Sequence, residues 1–527
     1  MIGRIGNKWA AALLAAGFGA AAGFAFPPFD VLPGILGWAG LLWLLDDADP
    51  DRPLRSAFWR AWVFCTSFFV VGTWWVAEAF LVDAEAHGWM APIIVCILPM
   101  GMGLFWGTAA MLYRRFAVDG PARLLVFAAS FGLLEWFRNW LLTGFPWNMA
   151  GQTWKAGGAI SQSAAVFGAL GLTVITLAIA ASPAVLVGAG SRRARLGAVA
   201  AAAAGLLGLY GFGAWRLSQA EVTETDLRVR VVQANVSQEE KWTEGSLPRV
   251  VDAYVRQSQA PGAEQADIVI WPEGALPASL EYLFDPASPF GPQIASAVRP
   301  GQHLFMGVSR AGADGAFYLN SFAFFRREPD GLRVLGFYDK HHLLPFGEYL
   351  PLGELMTKLG VRSLVNMPAD YAPGSETAPV RLPGIPLFQP IICYESIFAD
   401  AIGSDGPRPQ WIVLPSNDSW FGETSGPWQH LHLGSYRAIE HGVPIVRSTP
   451  TGVSAMIDPY GRVRPGQSLG LDTAGVIDAA VPAPIAPTLY SRWRDLPFWI
   501  MLLSGAAVAA APRLRRDKRV TTPSQPA

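Results

Sequence analysis

Long apolar stretches separated by short polar loops fill roughly the first two hundred residues, and one more lies near the end. A helix needs roughly 20 apolar residues to cross about 30 Å of hydrocarbon. We predict eight spanning helices, over residues 9–25, 30–46, 57–80, 89–113, 122–141, 164–188, 196–214 and 495–512. The pattern therefore predicts a polytopic α-helical membrane domain.

Between residues 215 and 494 the pattern changes, because short β-branched runs alternate with turn signals and helical periodicity. The predicted helices include Arg249–Gln259 and Gln429–Glu440. The predicted strands are Leu227–Val236, Ile268–Trp271, Leu304–Val308, Ser321–Phe325, Val334–Tyr338, Phe388–Cys393 and Trp411–Pro415. This alternation favours an α/β layered domain, although periodicity alone does not give the strand order.

These patterns divide the chain into four regions. Residues 1–214 are predicted to form a membrane domain with seven transmembrane helices, residues 215–494 the α/β domain, residues 495–512 the eighth transmembrane helix and residues 513–527 a basic cytoplasmic tail. Charged residues make up 15% of the chain, whereas soluble globular proteins average about 25%. The net charge of −1 gives no reason to expect a nucleic-acid partner.

The basic residues outside the α/β region predict the orientation of the chain. With eight spans, all but Arg138 and Lys155 fall on one side of the membrane, which the positive-inside rule makes the cytoplasmic side. They are Arg4, Lys8, Arg52, Arg55, Arg60, Arg114, Arg115, Arg123, Arg192, Arg193, Arg195, Arg513, Arg515, Arg516, Lys518 and Arg519. Both termini are therefore expected inside, and residues 215–494 in the periplasm. A cleaved signal peptide is the alternative for residues 1–25, but further spans follow at once and favour an uncleaved helix.

Three chemically distinct residues follow predicted strands. Glu273 lies in Trp271-Pro-Glu-Gly274, Lys340 in Tyr338-Asp-Lys-His-His342 and Cys393 in Ile391-Ile-Cys-Tyr-Glu395. Each alone has an ordinary interpretation, as a salt-bridge partner, a solvated lysine and an inert thiol. Together they suggest a site, because three strand ends of one sheet can bring them close.

Glu, Lys and Cys side chains suffice for acyl-transfer chemistry. A thiol with a pKa near 8.5 is mostly protonated at neutral pH, so a carboxylate that accepts its proton makes it a nucleophile. A lysine charge and a backbone N–H can then stabilise the oxyanion. The carboxyl group finally returns the proton to the leaving group, and no metal or other cofactor is needed.

Histidines offer an alternative that the sequence does not favour. His341 and His342 are adjacent and are expected to point to opposite faces of an extended chain. His430 and His432 suggest a metal site, but no carboxylate ligand set accompanies them in sequence. Residues 215–494 contain a single cysteine, so this part of the chain can form neither an internal disulfide nor a Cys-x-x-Cys metal motif.

The sequences around these residues resemble those of the nitrilase superfamily, and within it the apolipoprotein N-acyltransferases of Gram-negative bacteria. The resemblance covers essentially the whole chain and implies an αββα sandwich on a helical membrane base. The motifs that carry it are Tyr338-Asp-Lys-His-His-Leu-Leu-Pro-Phe-Gly-Glu-Tyr-Leu-Pro351, Pro415-Ser-Asn-Asp-Ser-Trp-Phe-Gly422, Gly426-Pro-Trp-Gln-His430 and Gly144-Phe-Pro-Trp147.

The resemblance implies that Cys393 is the nucleophile, Glu273 the general base and Lys340 the stabiliser of the oxyanion and thiolate. It also implies supporting or substrate-binding roles for Glu348, Tyr394, Glu395, Trp242, Trp420, Phe421, Trp147 and Asn320. Two departures from the family pattern, Gly274 and Thr449-Pro-Thr-Gly452, leave the shape of the local loops open.

The implied reaction moves a fatty acyl chain from a phospholipid, expected to be phosphatidylethanolamine, to the N-terminal amine of an S-diacylglyceryl-cysteine in an apolipoprotein. A membrane-tethered amidase that uses water is the rival enzyme, and a transporter with a non-catalytic outer domain is a second rival. Arg138 and Trp147 are expected either to contact lipid headgroups or to be structural. A helical stripe can form a membrane-dipping lid or pack on the sandwich: Leu352, Leu355, Met356 and Leu359.

Overall fold

The computed structural model describes residues 5, 7–312, 315, 317–351, 353, 371–403 and 406–520, with side chains up to residue 511. The stripe predicted as a lid lies outside these residues. The chain forms two compact units. The first comprises Met1–Trp74, Pro92–Gln219 and Thr488–Ala527, and the second comprises Trp75–Ala91 and Ala220–Pro487.

The first unit is helical. In chain order, the described helices before the sheets, of which α4 and α5 belong to the second unit, are α1 (Lys8–Gly23), α2 (Gly37–Asp46), α3 (Pro53–Thr73), α4 (Glu78–Leu81), α5 (Ala84–His87), α6 (Ala91–Phe116), α7 (Arg123–Arg138), α8 (Ala164–Ala181) and α9 (Arg192–Ser218). Within the described residues, four helical segments are long and apolar enough to cross a membrane: Pro53–Leu81, Ala84–Phe116, Ile160–Val187 and Arg192–Ser218.

The other four predicted spans do not meet this criterion within the described residues, so the expected number of eight is not confirmed. Helices α1 and α7 each have 16 residues. At 1.5 Å per residue such a helix is about 24 Å long, less than the roughly 30 Å of a hydrocarbon layer. The remaining two are the short apolar segments Leu32–Asp46 and Leu496–Ala511.

The second unit contains two six-stranded sheets. Its described strands are β1 (Glu224–Gln233), β2 (Ile268–Trp271), β3 (His303–Ala311), β4 (Tyr318–Glu328), β5 (Gly331–Asp339), β6 (Val380–Leu382), β7 (Ile385–Pro390), β8 (Trp411–Pro415), β9 (Ile445–Ser448), β10 (Ser454–Ile457), β11 (Val463–Leu469) and β12 (Gly475–Pro482). The strand order is β12-β1-β2-β3-β4-β5 in one sheet and β11-β10-β9-β8-β7-β6 in the other.

The two sheets pack face to face through aromatic side chains. The ring of Phe388 on β7 lies 5.3 Å from that of Phe305 on β3 and 5.4 Å from that of Phe324 on β4. Burying such rings, each worth about 1.5–3 kcal/mol, holds the sheets together.

Helices cover the outer face of each sheet, which gives the αββα arrangement that the resemblance implied. On one side Tyr254 packs against Trp271 of β2, and on the other Leu431 and Ala438 join a buried cluster with Leu414 of β8. The described helices from residue 238 onward are α10 (Gln238–Trp242), α11 (Leu247–Ser258), α12 (Leu280–Leu283), α13 (Phe290–Ala295), α14 (Gly426–His441), α15 (Leu489–Trp493) and α16 (Leu496–Val520).

We expected that three strand ends of one sheet could bring the candidate residues together. This expectation is wrong, because the residues follow strands of two different sheets. Glu273 and Lys340 follow β2 and β5, which run in the same direction in the first sheet. Cys393 follows β7 of the second sheet, and it begins a 3₁₀ turn rather than ending the strand. The candidate residues therefore come from both sheets.

Candidate active site

Two carboxylates share one buried lysine at the carboxyl ends of β2 and β5. Lys340 Nζ lies 3.2 Å from Glu273 Oε1 and 3.0 Å from Glu348 Oε1. The Asn320 side-chain amide donates to the same two oxygen atoms, at 2.7 and 2.6 Å. Four of the predicted residues, Glu273, Lys340, Glu348 and Asn320, thus form one hydrogen-bonded group.

The second oxygen atom of Glu273 is buried, and it has no hydrogen-bond partner among the described residues. By contrast, Oε2 of Glu348 accepts from the backbone N–H of Leu344 at 2.7 Å. Glu348 is therefore committed to holding Lys340, whereas Glu273 keeps one oxygen available to receive a proton.

Glycines shape the turn that carries Glu273. A Cβ on Gly307 of β3 would lie 2.4 Å from the Pro272 carbonyl oxygen and 2.5 Å from Glu273 Cα, so only glycine allows this approach. Gly274 has a φ of 52°, which glycine adopts at little cost. The departure noted at Gly274 is thus explained by a left-handed backbone.

The charge of Lys340 is maintained by its neighbours. Burial alone would lower the pKa of its ammonium group, but the carboxylates of Glu273 and Glu348 outweigh burial and hold the pKa well above its usual value. Lys340 is only 2% exposed. It therefore supplies a permanent positive charge shielded from water.

Cys393 adopts an unusual backbone conformation with a φ of 50°. This left-handed region costs a non-glycine residue about 1–2 kcal/mol. Packing around the thiol raises its pKa, the Glu273 carboxylate raises it further, and Lys340 lowers it by a smaller amount. The resting thiol is therefore neutral and must give its proton to a base during attack.

Glu395 joins the loop that carries Lys340 to the loop that carries Cys393. Its Oε1 accepts from the backbone N–H groups of His341 and His342, at 2.8 and 3.1 Å, and its Oε2 accepts from that of Ile392 at 2.6 Å. The Tyr338 hydroxyl also donates to it. This buried carboxylate thus fixes the ends of two strands from different sheets.

The remaining predicted residues differ in position. Tyr394 is buried, and its ring lies 5.2 Å from that of Phe398. Trp242 at the end of α10 and Trp420 are exposed, by 62% and 38%. Trp147 lies in the helical unit and is buried, as is Arg138, which pairs with Glu135. Burial favours the structural alternative for Trp147 and Arg138.

Phe421 belongs to a turn that contacts the segment Trp75–Ala91. Its ring lies 4.5 Å from that of Trp75, whose indole N–H donates to Gln429 of α14 at 3.1 Å. A Cβ on Gly422 would lie 2.9 Å from the carboxylate of Glu78. A segment remote in sequence therefore packs on a turn whose Phe421 the resemblance assigned a supporting or substrate-binding role.

Lys241 is a buried residue beside Glu273 that the sequence reasoning missed. Its Nζ donates to the carbonyl oxygen of Gly274 at 2.9 Å. Burial lowers its pKa to about 8, although the Glu273 carboxylate opposes that shift. A capping box of Ser237 and Glu240 marks the start of α10. This signal could have placed Lys241 on the same helix face as Gln238, which is also buried.

Asp418 was also missed, and His430 was considered only as a metal ligand. The Nδ1 of His430 lies 2.8 Å from Asp418 Oδ1, and Asp418 Oδ2 accepts from the Arg447 guanidinium. Burial would raise the pKa of Asp418, but Arg447 and His430 outweigh it and hold the pKa well below its usual range. No carboxylate ligand set accompanies His430 in the local sequence, but the fold brings Asp418, in the turn after β8, onto α14.

Cys393, Asp418 and His430 also form the group among the described residues that could hold a metal ion. One ligand atom from each lies within 4.8 Å of the others. However, Asp418 already accepts from Ser416 and Arg447. A cation bound there would face the Arg447 charge, so the geometry favours a hydrogen-bond network.

The arrangement suits acyl transfer through a covalent thioester. It combines a thiol that is neutral at rest, a carboxylate with one unpartnered oxygen, and a buried ammonium group. These groups can respectively attack an acyl carbon, move a proton and stabilise an oxyanion.

Two family models match the chain. Residues 18–182 match the family model of the apolipoprotein N-acyltransferase N-terminal domain, and residues 228–488 match that of carbon-nitrogen hydrolase. Among solved structures, a variant of the Nesterenkonia AN1 amidase from the nitrilase superfamily aligns with a TM-score of 0.35 and 17% identity. That alignment covers 53% of this chain and 97% of the amidase chain.

Full-length relatives are closer in sequence. The apolipoprotein N-acyltransferase of Caulobacter vibrioides is 47% identical over 522 residues, covering 98% of each chain. That of Brucella melitensis biotype 1 is 37% identical over 511 residues, covering 94% of this chain and 93% of the relative. With its apolar helices, the chain is a bacterial membrane protein, and it belongs to the apolipoprotein N-acyltransferase family.

Proposed function

We propose that this chain transfers a fatty acyl chain from a membrane phospholipid to the N-terminal amine of an S-diacylglyceryl-cysteine, through a thioester on Cys393. Membership of the family supports the overall reaction. The observation that carries the assignment of roles is the buried Oε2 of Glu273 beside the Lys340 charge, an atom that has no hydrogen-bond partner within the part of the chain that the structure describes.

The first half-reaction forms the thioester. Glu273 accepts the thiol proton as the Cys393 sulfur attacks the ester carbonyl carbon, and Lys340 stabilises the resulting oxyanion. The carbon–oxygen bond of the ester then breaks. Glu273 returns the proton to the leaving alkoxide, which departs as the hydroxyl group of a lysophospholipid.

The second half-reaction forms the amide. The acceptor amine loses one proton to solvent and attacks the thioester carbon as a neutral amine. Glu273 accepts the second amine proton, the carbon–sulfur bond breaks, and Glu273 returns that proton to the Cys393 thiolate. The enzyme ends in its starting protonation state, so no cofactor enters the cycle.

Both substrates are held in a bilayer by their acyl chains. Extracting them would cost about 0.8 kcal/mol for each CH₂ group exposed to water, so a membrane protein is suited to bring them together. We propose the cell inner membrane as the location, with eight spans and residues 215–494 facing the periplasm. Phosphatidylethanolamine is the donor that we propose.

A trapped intermediate tests the proposed function. Purified protein incubated with phosphatidylethanolamine and no acceptor is expected to gain the mass of one fatty acyl chain, because the thioester then lacks its amine. Intact mass spectrometry measures the adduct, and neutral hydroxylamine or a diacylated lipopeptide should remove it. Steady release of free fatty acid, with no adduct and no acylated lipopeptide, would instead identify a hydrolase that uses water.

The orientation has its own test. Alkaline phosphatase, which is active only in the periplasm, is expected to be inactive when fused at Ser191 and active when fused at Ala220. The reason is the clustering of Arg192, Arg193 and Arg195 in the loop that the positive-inside rule assigns to the cytoplasm. An active fusion at Ser191 would overturn the proposed orientation.

A further inference from the structure

Two buried side chains contact the backbone carbonyl oxygen of Cys393. The Nε2 of His430 lies 3.1 Å from this oxygen, and the Ser396 hydroxyl donates to it at 2.8 Å. His430 and Ser396 are fully buried, with exposures of 1% and 0%. The segment that carries Cys393 therefore packs against the buried face of α14.

Charged side chains fix the Nδ1 side of the His430 ring. His430 Nδ1 lies 2.8 Å from Asp418 Oδ1, and the Ser416 hydroxyl donates to the same oxygen at 2.8 Å. Arg447 donates to Asp418 Oδ2, and through its Nε also to the Val453 carbonyl oxygen at 3.1 Å. A backbone carbonyl only accepts, so Nε2 is the donor toward Cys393. Nδ1 faces both the Asp418 carboxylate and, at 3.2 Å, the Arg447 guanidinium, and these contacts set the ring orientation.

The carbonyl matters because of the conformation at Cys393. With a φ of 50°, this residue occupies a region that only surrounding contacts can maintain. The Cys393 carbonyl and the Tyr394 N–H belong to one planar trans peptide and point in opposite directions. Fixing the carbonyl on the His430 side therefore also fixes where the Tyr394 N–H points.

We infer that His430, oriented by Asp418 and Arg447, is a positioning residue for the nucleophile. It holds the Cys393–Tyr394 peptide in the orientation that presents the thiol to the acyl carbon and directs the Tyr394 N–H. The inference rests on the proposed role of Cys393. It concerns the contact of His430 Nε2 with the Cys393 carbonyl oxygen, and it assigns His430 neither proton transfer to the thiol nor metal binding.

Two substitutions of similar polarity separate this role from simple packing. In His430→Gln, the amide nitrogen can occupy the place of Nε2 and donate to the Cys393 carbonyl. In His430→Asn, the shorter amide reaches the place of Nδ1 and keeps only the side facing Asp418. Both variants lose the imidazole ring, including its edge contact with Phe421 at 5.8 Å. They therefore lose the same packing contacts of the ring.

The test measures three quantities on each full-length variant in detergent: the rate of Cys393 alkylation by iodoacetamide, kcat and KM for thioester formation, and the thermal unfolding temperature. His430→Asn is expected to lower the alkylation rate and kcat by about tenfold or more, the scale of a misplaced reacting group, while KM for phospholipid stays nearly unchanged. His430→Gln is expected to retain most of both rates at a similar unfolding temperature.

Wild-type rates in His430→Asn, or equal losses in both variants that follow their loss of thermal stability, would overturn the inference. If His430→Asn does not fold, Ser396→Ala replaces it, because it removes the other side-chain donor to the same carbonyl. That variant is expected to slow alkylation, and an unchanged rate would count against the inference. Acyl transfer by Cys393→Ala would instead overturn the proposed function, so the two failures are distinguishable.

Discussion

Replacing Cys393 with alanine is expected to abolish both the enzyme-bound acyl adduct and acylation of the lipopeptide. The proposed reaction needs a sulfur nucleophile, and the other two cysteines, Cys65 and Cys96, lie in helices α3 and α6. Removing a catalytic nucleophile typically costs about 10⁴-fold or more in kcat. Lipopeptide acylation measured by mass spectrometry should therefore fall to background.

The matched control is Cys96→Ala, which removes an exposed cysteine from a helix and is expected to keep wild-type activity. Circular dichroism and thermal unfolding should show that both variants remain folded. An acyl adduct that persists in Cys393→Ala and disappears in Cys96→Ala would place the nucleophile elsewhere.

Lys340→Met is expected to lower both half-reactions by about 10²–10³-fold, the scale observed when one oxyanion-stabilising group is lost. The structure adds a second reason for a large effect. Without the ammonium group, Glu273 and Glu348 remain together on the Asn320 amide, and two close carboxylates tend to share one proton. A proton shared by these two carboxylates would also leave Glu273 unable to act as the general base.

Glu348→Gln provides the comparison, because it removes one partner of Lys340 but keeps the lysine charge. Its loss of activity is expected to be smaller. In Lys340→Met the residual rate of thioester formation should increase with pH as the shared proton is lost. A Lys340→Met variant with the rate of wild type would show that the buried charge takes no part in the reaction.

Local patterns predicted the strands near the site well. The observed bounds of β2 and β8 are those expected, and α14 extends its predicted segment by a few residues at its N-terminus. Buried strands of four or five β-branched and aromatic residues flanked by turn residues give a clear local signal. Strands β9 and β10 also have four residues each, as β2 has, but they were not predicted.

The sequence could not show which sheet carries each candidate residue, because periodicity contains no information on strand order. For the same reason it could not show that Asp418 meets His430, twelve positions further along the chain. Lys241 was missed for a different reason. It follows two glutamates in a short polar helix, and nothing in local polarity distinguishes the buried face of such a helix from the exposed one.

The catalytic unit is built from two separate parts of the chain. Trp75–Ala91 contributes an indole that contacts Phe421 and Gln429, although well over a hundred residues lie between this segment and Ala220. A fragment cut from Ala220 to Pro487 would lack that indole and expose the Phe421 ring to water. The nitrilase-type part of this protein therefore cannot be excised as one continuous piece, and swapping it between relatives requires exchanging the Trp75–Ala91 segment together with it.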